Sequence, residues 1–200
     1  MKNKTTEVLK YFNKQAHEYQ NKSESLLWNG LRNKELNACF ELLEPSPQES
    51  ILDAGCGAGF YTRELINKKV DVIAVDLCED MLNQLKNIGA KELIKGDITK
   101  IEFPNKFDKI LCAGALEFCD NPYDAISNLS KSLKQSGRIV LLLPRKSFLS
   151  GFYYLFHKSH NINVHLFQLN DLIKYCDSIG LKYIKSLTPG FSLVVRFDKI

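Results

Sequence analysis

The stretch that most constrains how this chain can fold is ILDAGCGAGF, residues 51–60. Two apolar residues lead into Asp53, and Gly55, Gly57 and Gly59 then alternate with small residues. An apolar strand that ends in a glycine loop and runs into a helix is typical of open α/β sheets, which bind ligands at that edge. Glycine lets the loop turn sharply and approach a ligand closely. The stretch therefore predicts a ligand site at the carboxyl end of a first strand.

The rest of the chain alternates apolar strands with helical patterns, which predicts a parallel sheet with helices on both faces. Near its end, Thr188-Pro189-Gly190 separates two strand-like segments and predicts a hairpin whose last strand runs antiparallel. The predicted strands span residues 50–54, 70–75, 92–95, 107–113, 138–143, 181–187 and 191–197. The predicted helices span residues 5–20, 25–43, 60–68, 79–88, 121 to about 136, and 169–179.

The 200 residues are enough for one domain. We expect four parts within it: an N-terminal helical cover (1–48), a ligand-binding core (49–144), a lid or substrate insertion (145–167), and a C-terminal helix with the hairpin (168–200). The insertion is rich in aromatic residues and histidines, which fits either a substrate pocket with a movable cover or a helix packed on the sheet edge.

Charge and cysteine use limit the class of protein. A net charge of +4 gives no strong basic field, so nucleic acid is not an expected partner. None of the six cysteines forms a CxxC pair, and no signal-peptide pattern or apolar run of about 20 residues is present. We therefore expect reduced, buried thiols, no metal site, no membrane span and a cytoplasmic location. The oligomeric state does not follow from the sequence.

The sequence of the glycine loop distinguishes between classes of ligand. A nucleotide-binding P-loop needs Gly-Lys-Ser/Thr, but Ala58-Gly59-Phe60 stands there. A nicotinamide or flavin site favours GxGxxG after an apolar approach, whereas this loop is GxGxG and Asp53 precedes it. A carboxylate there is poorly placed for a pyrophosphate and well placed for a cationic ligand such as a sulfonium.

The loop Asp53-Ala-Gly-Cys-Gly-Ala-Gly resembles the first motif of the class I S-adenosylmethionine-dependent methyltransferases. The other motifs of that family follow in order, and the N-terminal helix is similar to that of ubiquinone/menaquinone- and biotin-pathway methyltransferases. The further matching segments are Val72–Asp76, Lys95–Ile98, Phe107–Ala113 with Leu116-Glu117, and Ser136-Gly137 with the strand after it. The resemblance implies a Rossmann-like, seven-stranded, mostly parallel sheet with an antiparallel last strand.

The resemblance also implies roles for particular residues. Asp76 would bind both ribose hydroxyls and Leu77 would lie against the adenine, with Asp97 and Ile98 at its amine. Ala113 would lie beside the cofactor. Asp53, Gly55, Gly57 and the N-terminal Tyr19 would complete the site for S-adenosyl-L-methionine, and Arg32 is similar in place to an arginine that holds the methionine carboxylate. Simpler interpretations stay open: Asp76 as a helix cap, Asp97 as a turn former, Tyr19 as a core residue and Gly59 as a packing position.

Methyl transfer is an in-line displacement, so positioning supplies much of the rate and no strong catalytic signature is required. A phenol acceptor would need a base, for which Glu117, His157, His160 and His165 are candidates. We expect an oxygen or nitrogen atom of a small, aromatic or partly apolar molecule as acceptor. Leu116-Glu117-Phe118 replaces the Leu-Glu-His of the quinone-pathway relatives, which weakens that substrate assignment. A nicotinamide-dependent oxidoreductase and a non-catalytic S-adenosylmethionine-binding protein remain the alternatives.

Overall fold

A computed structural model describes residues 6–13, 26–146, 157–158 and 162–200 of the chain. Within these residues, seven strands form one sheet in the order β3-β2-β1-β4-β5-β7-β6. The strands are β1 Ser50–Ala54, β2 Asp71–Asp76, β3 Glu92–Lys95, β4 Phe107–Ala113, β5 Leu133–Pro144, β6 Leu181–Leu187 and β7 Ser192–Lys199. The helices are α1 (6–13), α2 Leu26–Leu43, α3 Phe60–Asn67, α4 Glu79–Asn83, α5 Pro122–Ser132 and α6 Leu169–Ser178, with a 3-10 turn at Leu116–Phe118.

The predicted fold class is confirmed. Strands β1 to β5 pair in parallel, and β7 runs antiparallel to both of its neighbours, β5 and β6. The strand order reverses between β1 and β4, so the loops that follow these two strands open a crevice at the carboxyl edge of the sheet. This edge is where the glycine loop lies.

Apolar residues cover both faces of the sheet, which explains why the strand sequences are almost continuously apolar. Leu52 and Ile110 belong to the core beneath α5 and α6, whereas their neighbours Ile51 and Leu111 belong to the core beneath α2 and α3. This alternation along paired strands fixes the register, because a slip of one residue would exchange the two faces. The loops at the carboxyl edge are therefore held on a rigid base.

The predicted helix from 79 to 88 was too long. Helix α4 ends at Asn83. It is followed by tight turns in which a backbone N–H donates to the carbonyl three residues earlier, such as Leu85 N–H to Leu82 C=O at 2.9 Å. Gly89, which we took as the helix stop, lies beyond these tight turns with φ +92°. Sequence patterns do not distinguish such turns from helix, because their periods are close.

The predicted end of the fifth helix near Ser136-Gly137 was also wrong. Helix α5 ends at Ser132, and β5 begins at Leu133 with an irregular first part. The register shifts where Phe107 pairs with Leu133 and Lys109 pairs with Arg138. A Cβ on Gly137 would lie 2.8 Å from the Lys134 carbonyl oxygen, so this glycine serves the bulge and not a helix cap.

Candidate functional site

A cavity of about 630 Å³ opens at the carboxyl edge of the sheet, a size typical of small-molecule sites. Its wall combines the glycine loop, the ends of β2, β3 and β4, the start of α5, and one face of α1. Arg32 of α2 and Phe60 and Tyr61 of α3 close another side. The predicted site residues on this wall are Gly55, Gly57, Asp76, Leu77, Asp97, Ile98 and Ala113.

The three glycines of the loop all have positive φ, but they meet different surroundings. A Cβ on Gly55 would lie 2.3 Å from the Cβ of Ala115, and one on Gly59 would lie 2.0 Å from a methyl group of Leu85. A Cβ on Gly57 would meet no atom of the described structure within 4 Å. Gly55 and Gly59 are thus required by protein packing, and Gly57 leaves space on the cavity side.

Asp76 ends strand β2 and organises the glycine loop. One carboxylate oxygen accepts the Gly57 N–H at 2.8 Å, and the other accepts the Cys78 N–H at 2.8 Å. Burial raises the pKa of Asp76, while the backbone N–H groups of Cys78, Gly57 and Leu77 lower it. Each carboxylate oxygen keeps a second lone pair, so the group can still accept hydrogen bonds from a diol in the cavity. The sequence did not indicate the bond to Gly57.

Asp53 lies behind this wall and not on it. The carboxylate is only 1% exposed and accepts the Thr62 hydroxyl at 2.6 Å. Burial raises its pKa to about 7 against the hydrogen bond from Thr62, and the nearby charge of Asp76 raises it further. In the described structure, Asp53 is placed to support the loop from beneath, and its predicted contact with a cationic ligand stays a prediction.

We expect Asp53→Asn to remove a pH-dependent loss of stability. Because the folded protein holds the Asp53 proton more tightly, this group stabilises fully below its ordinary pKa of 3.8, and that contribution is lost as pH rises through about 7. Across that window, the unfolding free energy of the unsubstituted protein should fall by roughly 4 kcal/mol relative to the variant. Denaturant titrations at several pH values measure this, and parallel pH profiles would contradict it.

Asp97 begins the turn that follows β3, and its carboxylate already has partners in the protein. One oxygen accepts the backbone N–H and the hydroxyl of Thr99 at 2.9 and 2.6 Å, and the other lies 3.1 Å from the Lys100 ammonium. Although partial burial raises the pKa of Asp97, these hydrogen bonds lower it overall. The carboxylate therefore both forms a turn and lies charged on the cavity wall.

Helix α1 covers one side of the cavity. Val8, Leu9 and Phe12 line it, and the Phe12 ring meets Phe118 edge-on at 5.0 Å between centroids. The Cys78 thiol donates to Asn13 Oδ1 at 2.8 Å, which ties the helix to the end of β2. Sequence reasoning gave α1 an apolar stripe but did not assign Phe12 or Phe118 to the site. Tyr19, the predicted contact of this helix, lies outside the described residues.

Arg63 is a wall residue that sequence reasoning missed. Its guanidinium donates to the Ala58 carbonyl at 2.6 Å and to the Gln84 carbonyl at 3.3 Å, so it joins the glycine loop to the turn after α4. An arginine on a helix looks like an ordinary solvent-facing residue, so no sequence signal distinguished it.

The candidate bases gather around the 3-10 turn, away from the wall that the described residues form. The Glu117 residue is 3% exposed. Its backbone carbonyl accepts the backbone N–H of His165 at 2.9 Å. His157 is buried, with its ring 5.4 Å from that of Phe118 and 6.1 Å from that of Tyr11. His160 lies outside the described residues. Within those residues, no group of three His, Cys, Asp or Glu side chains could hold a metal ion.

Residues 52–141 match the family model described as "Methyltransferase domain". A malonyl-[acyl-carrier protein] O-methyltransferase from Halalkalibacterium halodurans is 29% identical over 149 residues, which are 66% of this chain and 53% of that protein. The chain thus spans about half the length of that curated relative.

Two solved structures share the fold. Magnesium protoporphyrin IX methyltransferase from Synechocystis PCC 6803, with bound S-adenosylhomocysteine, has a TM-score of 0.80 at 16% identity, covering 98% of this chain and 100% of that one. A Haloferax volcanii protein in complex with the Trm112 methyltransferase activator has a TM-score of 0.77 at 12% identity, covering 94% and 97%. At these identities, the likeness concerns the fold alone.

Proposed function

We propose that this chain, whose residues 52–141 match a methyltransferase domain, is a class I S-adenosylmethionine-dependent methyltransferase that transfers the methyl group of S-adenosyl-L-methionine to an oxygen or nitrogen atom of a small acceptor. The observation that carries this proposal is Asp76, whose two oxygens are oriented by the N–H groups of Gly57 and Cys78 on the wall of the cavity. Such an oriented carboxylate is suited to a ribose diol, since charge-assisted hydrogen bonds are strong and directional.

The other wall residues fit the remaining parts of this cofactor. Leu77 and Ile98 offer apolar surface next to Asp76 and Asp97, as an adenine ring with an exocyclic amine needs. Gly57 leaves room where the loop faces the cavity. Arg32, across the cavity wall, supplies a guanidinium for the methionine carboxylate. When bound, the cofactor supplies a methyl group on an activated sulfonium.

In this proposal, the protein contributes to methyl transfer mainly by aligning the acceptor atom with the methyl group of the cofactor. Holding nucleophile and methyl group in line is worth about 7–11 kcal/mol in well-oriented systems. Phe12, Phe60 and Phe118 line the cavity and favour an aromatic or partly apolar acceptor. Glu117, His157 and His165 stay candidate bases, although none of the three lies on the cavity wall that the described residues form.

The proposed setting is a reducing cytoplasm, because all six cysteines are free thiols and five of them are buried. Among the described helices, none has the length and apolar character that a membrane span requires. We propose a small molecule and not a nucleic acid as partner. The activator bound to the Haloferax volcanii protein makes a second polypeptide worth adding to every activity assay.

Thermal unfolding with S-adenosylhomocysteine tests the cofactor. At 100 times its dissociation constant, a ligand adds about 2.7 kcal/mol, and we expect the melting temperature to rise by roughly 5–11 °C. NAD at equal concentration serves as the control and should leave it unchanged. A rise with NAD alone would favour the oxidoreductase alternative.

A screen with methyl-labelled S-adenosylmethionine then tests turnover. The acceptors should include phenols, amines and carboxylates, with a malonyl thioester among them because the Halalkalibacterium halodurans relative is named for one. Label in any product establishes catalysis, and NMR of the isolated product identifies the atom that accepted the methyl group. Binding without turnover on any acceptor would favour the non-catalytic alternative.

A further inference from the structure

A short hydrogen bond between two side chains joins the C-terminal hairpin to helix α2. At the start of β7, the Ser192 hydroxyl donates to Glu35 Oε1 at 2.5 Å. The hairpin tip is itself fixed to the sheet, since the Phe191 carbonyl accepts the N–H of Arg145 at the end of β5, at 3.3 Å. The Ser192 hydroxyl is therefore held in place by the sheet, and its hydrogen bond orients the Glu35 carboxylate.

Glu35 is a half-buried carboxylate. Burial raises its pKa, while the hydrogen bond from Ser192 and the charge of Arg32 lower it. Moving a carboxylate out of water costs free energy unless a cation or donors compensate. A glutamine could accept the same hydrogen bond from Ser192 without that cost. The negative charge of Glu35 therefore acts chiefly on Arg32, which is three residues earlier on the same face of α2.

That cation, Arg32, lies on the wall of the cavity. Its guanidinium carbon is 4.3 Å from the centre of the Phe60 ring, and Phe60 also lines the cavity. A guanidinium carries five N–H donors in a planar fork that suits a carboxylate, and Arg32 lies on the cavity wall where an anionic group of a ligand can reach it.

We propose that Glu35 and Ser192 are positioning residues that hold Arg32 in place to bind the carboxylate of the cofactor's methionine part. The proposal rests on the proposed function and deepens it. It joins the C-terminal hairpin, through Ser192, Glu35 and Arg32, to one end of the cofactor cavity. Neither Glu35 nor Ser192 lines that cavity within the described structure, so both act through Arg32.

Two ligands separate positioning from a merely structural role. S-adenosylhomocysteine carries the amino-acid carboxylate, and 5′-methylthioadenosine keeps the adenosine and the thioether but lacks it. We expect Glu35→Gln to weaken binding of S-adenosylhomocysteine about five- to tenfold and Ser192→Ala about two- to fivefold. Binding of 5′-methylthioadenosine, measured by calorimetry on the same preparations, should change by less than about twofold.

Glu41→Gln is the matched control. Glu41 is on the same helix and also contacts the hairpin, through an exposed ion pair with Lys185 at 2.6 Å, but it does not line the cavity. It should leave both affinities unchanged. Equal weakening of both ligands by Glu35→Gln, or no weakening of either, would overturn the positioning role. Failure of the unsubstituted protein to bind either ligand would instead overturn the proposed function, and the positioning role with it.

Discussion

Replacing Asp76 by alanine should lower the affinity for S-adenosylhomocysteine by roughly 2–4 kcal/mol, because two charge-assisted hydrogen bonds to the ribose are lost. The same substitution leaves the N–H groups of Gly57 and Cys78 without the acceptor that each has at 2.8 Å. We therefore expect a second effect, a lower melting temperature of the ligand-free protein. Calorimetric binding and thermal unfolding measure the two effects separately.

A ligand analogue separates loss of the ribose contacts from distortion of the loop. An S-adenosylhomocysteine analogue without the ribose hydroxyls should bind weakly to the unsubstituted protein, and Asp76→Ala should weaken it further by much less than it weakens the parent ligand. Asp71→Ala is the matched control, because Asp71 begins the same strand and makes an exposed ion pair with Lys91 at 2.7 Å. Equal losses for both ligands would mean that the substitution weakens binding by distorting the loop, and the ribose placement at Asp76 would then lose its support.

Asparagine is not a conservative replacement at this position. Both oxygens of Asp76 accept backbone N–H groups, and an asparagine amide would have to point its own N–H₂ group at one of them. We therefore expect Asp76→Asn to resemble the alanine variant and not the unsubstituted protein. The carboxylate is required by the loop as well as by the ligand.

The sequence predicted the sheet well because its signals are local and repeated. Apolar strands, the glycine loop and the Pro189-Gly190 turn each have a distinct pattern. The alternation of strands and helices predicts parallel pairing, and the seven-stranded arrangement was implied by the family resemblance. The two errors, at the ends of α4 and α5, occurred where the chain leaves a regular helix for tight turns or for a bulge. In both places, tertiary contacts decide the backbone, and a single sequence does not contain them.

The candidate site was predictable only where a motif carried it. Asp76 and Asp97 were assigned as strand-end acids, and both lie on the cavity wall. Arg63, Phe118 and the Ser192–Glu35 bond were not assigned, because each depends on segments distant in the chain. Asp53 was assigned from its charge; its carboxylate is 1% exposed and lies behind the cavity wall, and its contact with a cationic ligand stays a prediction. A pattern of residue types does not tell which side of a backbone a side chain occupies.

Alanine substitutions at two glycines of the loop should have different effects, one mainly on the stability of the protein and the other mainly on ligand affinity. Gly55→Ala should destabilise the protein by about 2–5 kcal/mol, because a left-handed backbone at φ +76° costs about 1–2 kcal/mol for alanine and the new Cβ overlaps that of Ala115 at 2.3 Å. Gly57→Ala, at φ +52° with no described atom within 4 Å, should cost only about 1–2 kcal/mol of stability. Its methyl group occupies cavity space, so it should weaken S-adenosylhomocysteine binding instead.

The overlap at Gly55 can be relieved without touching the backbone. Ala115→Gly removes the atom that the new methyl group would strike, so the double variant Gly55→Ala with Ala115→Gly should recover the packing part of the loss and keep the backbone part, about 1–2 kcal/mol. Denaturant unfolding of the four proteins in this cycle measures the coupling between the two sites. Additive losses would mean that the overlap with the Ala115 Cβ does not cause the packing part of the loss, and the need for glycine at position 55 would then rest on its left-handed backbone at φ +76°.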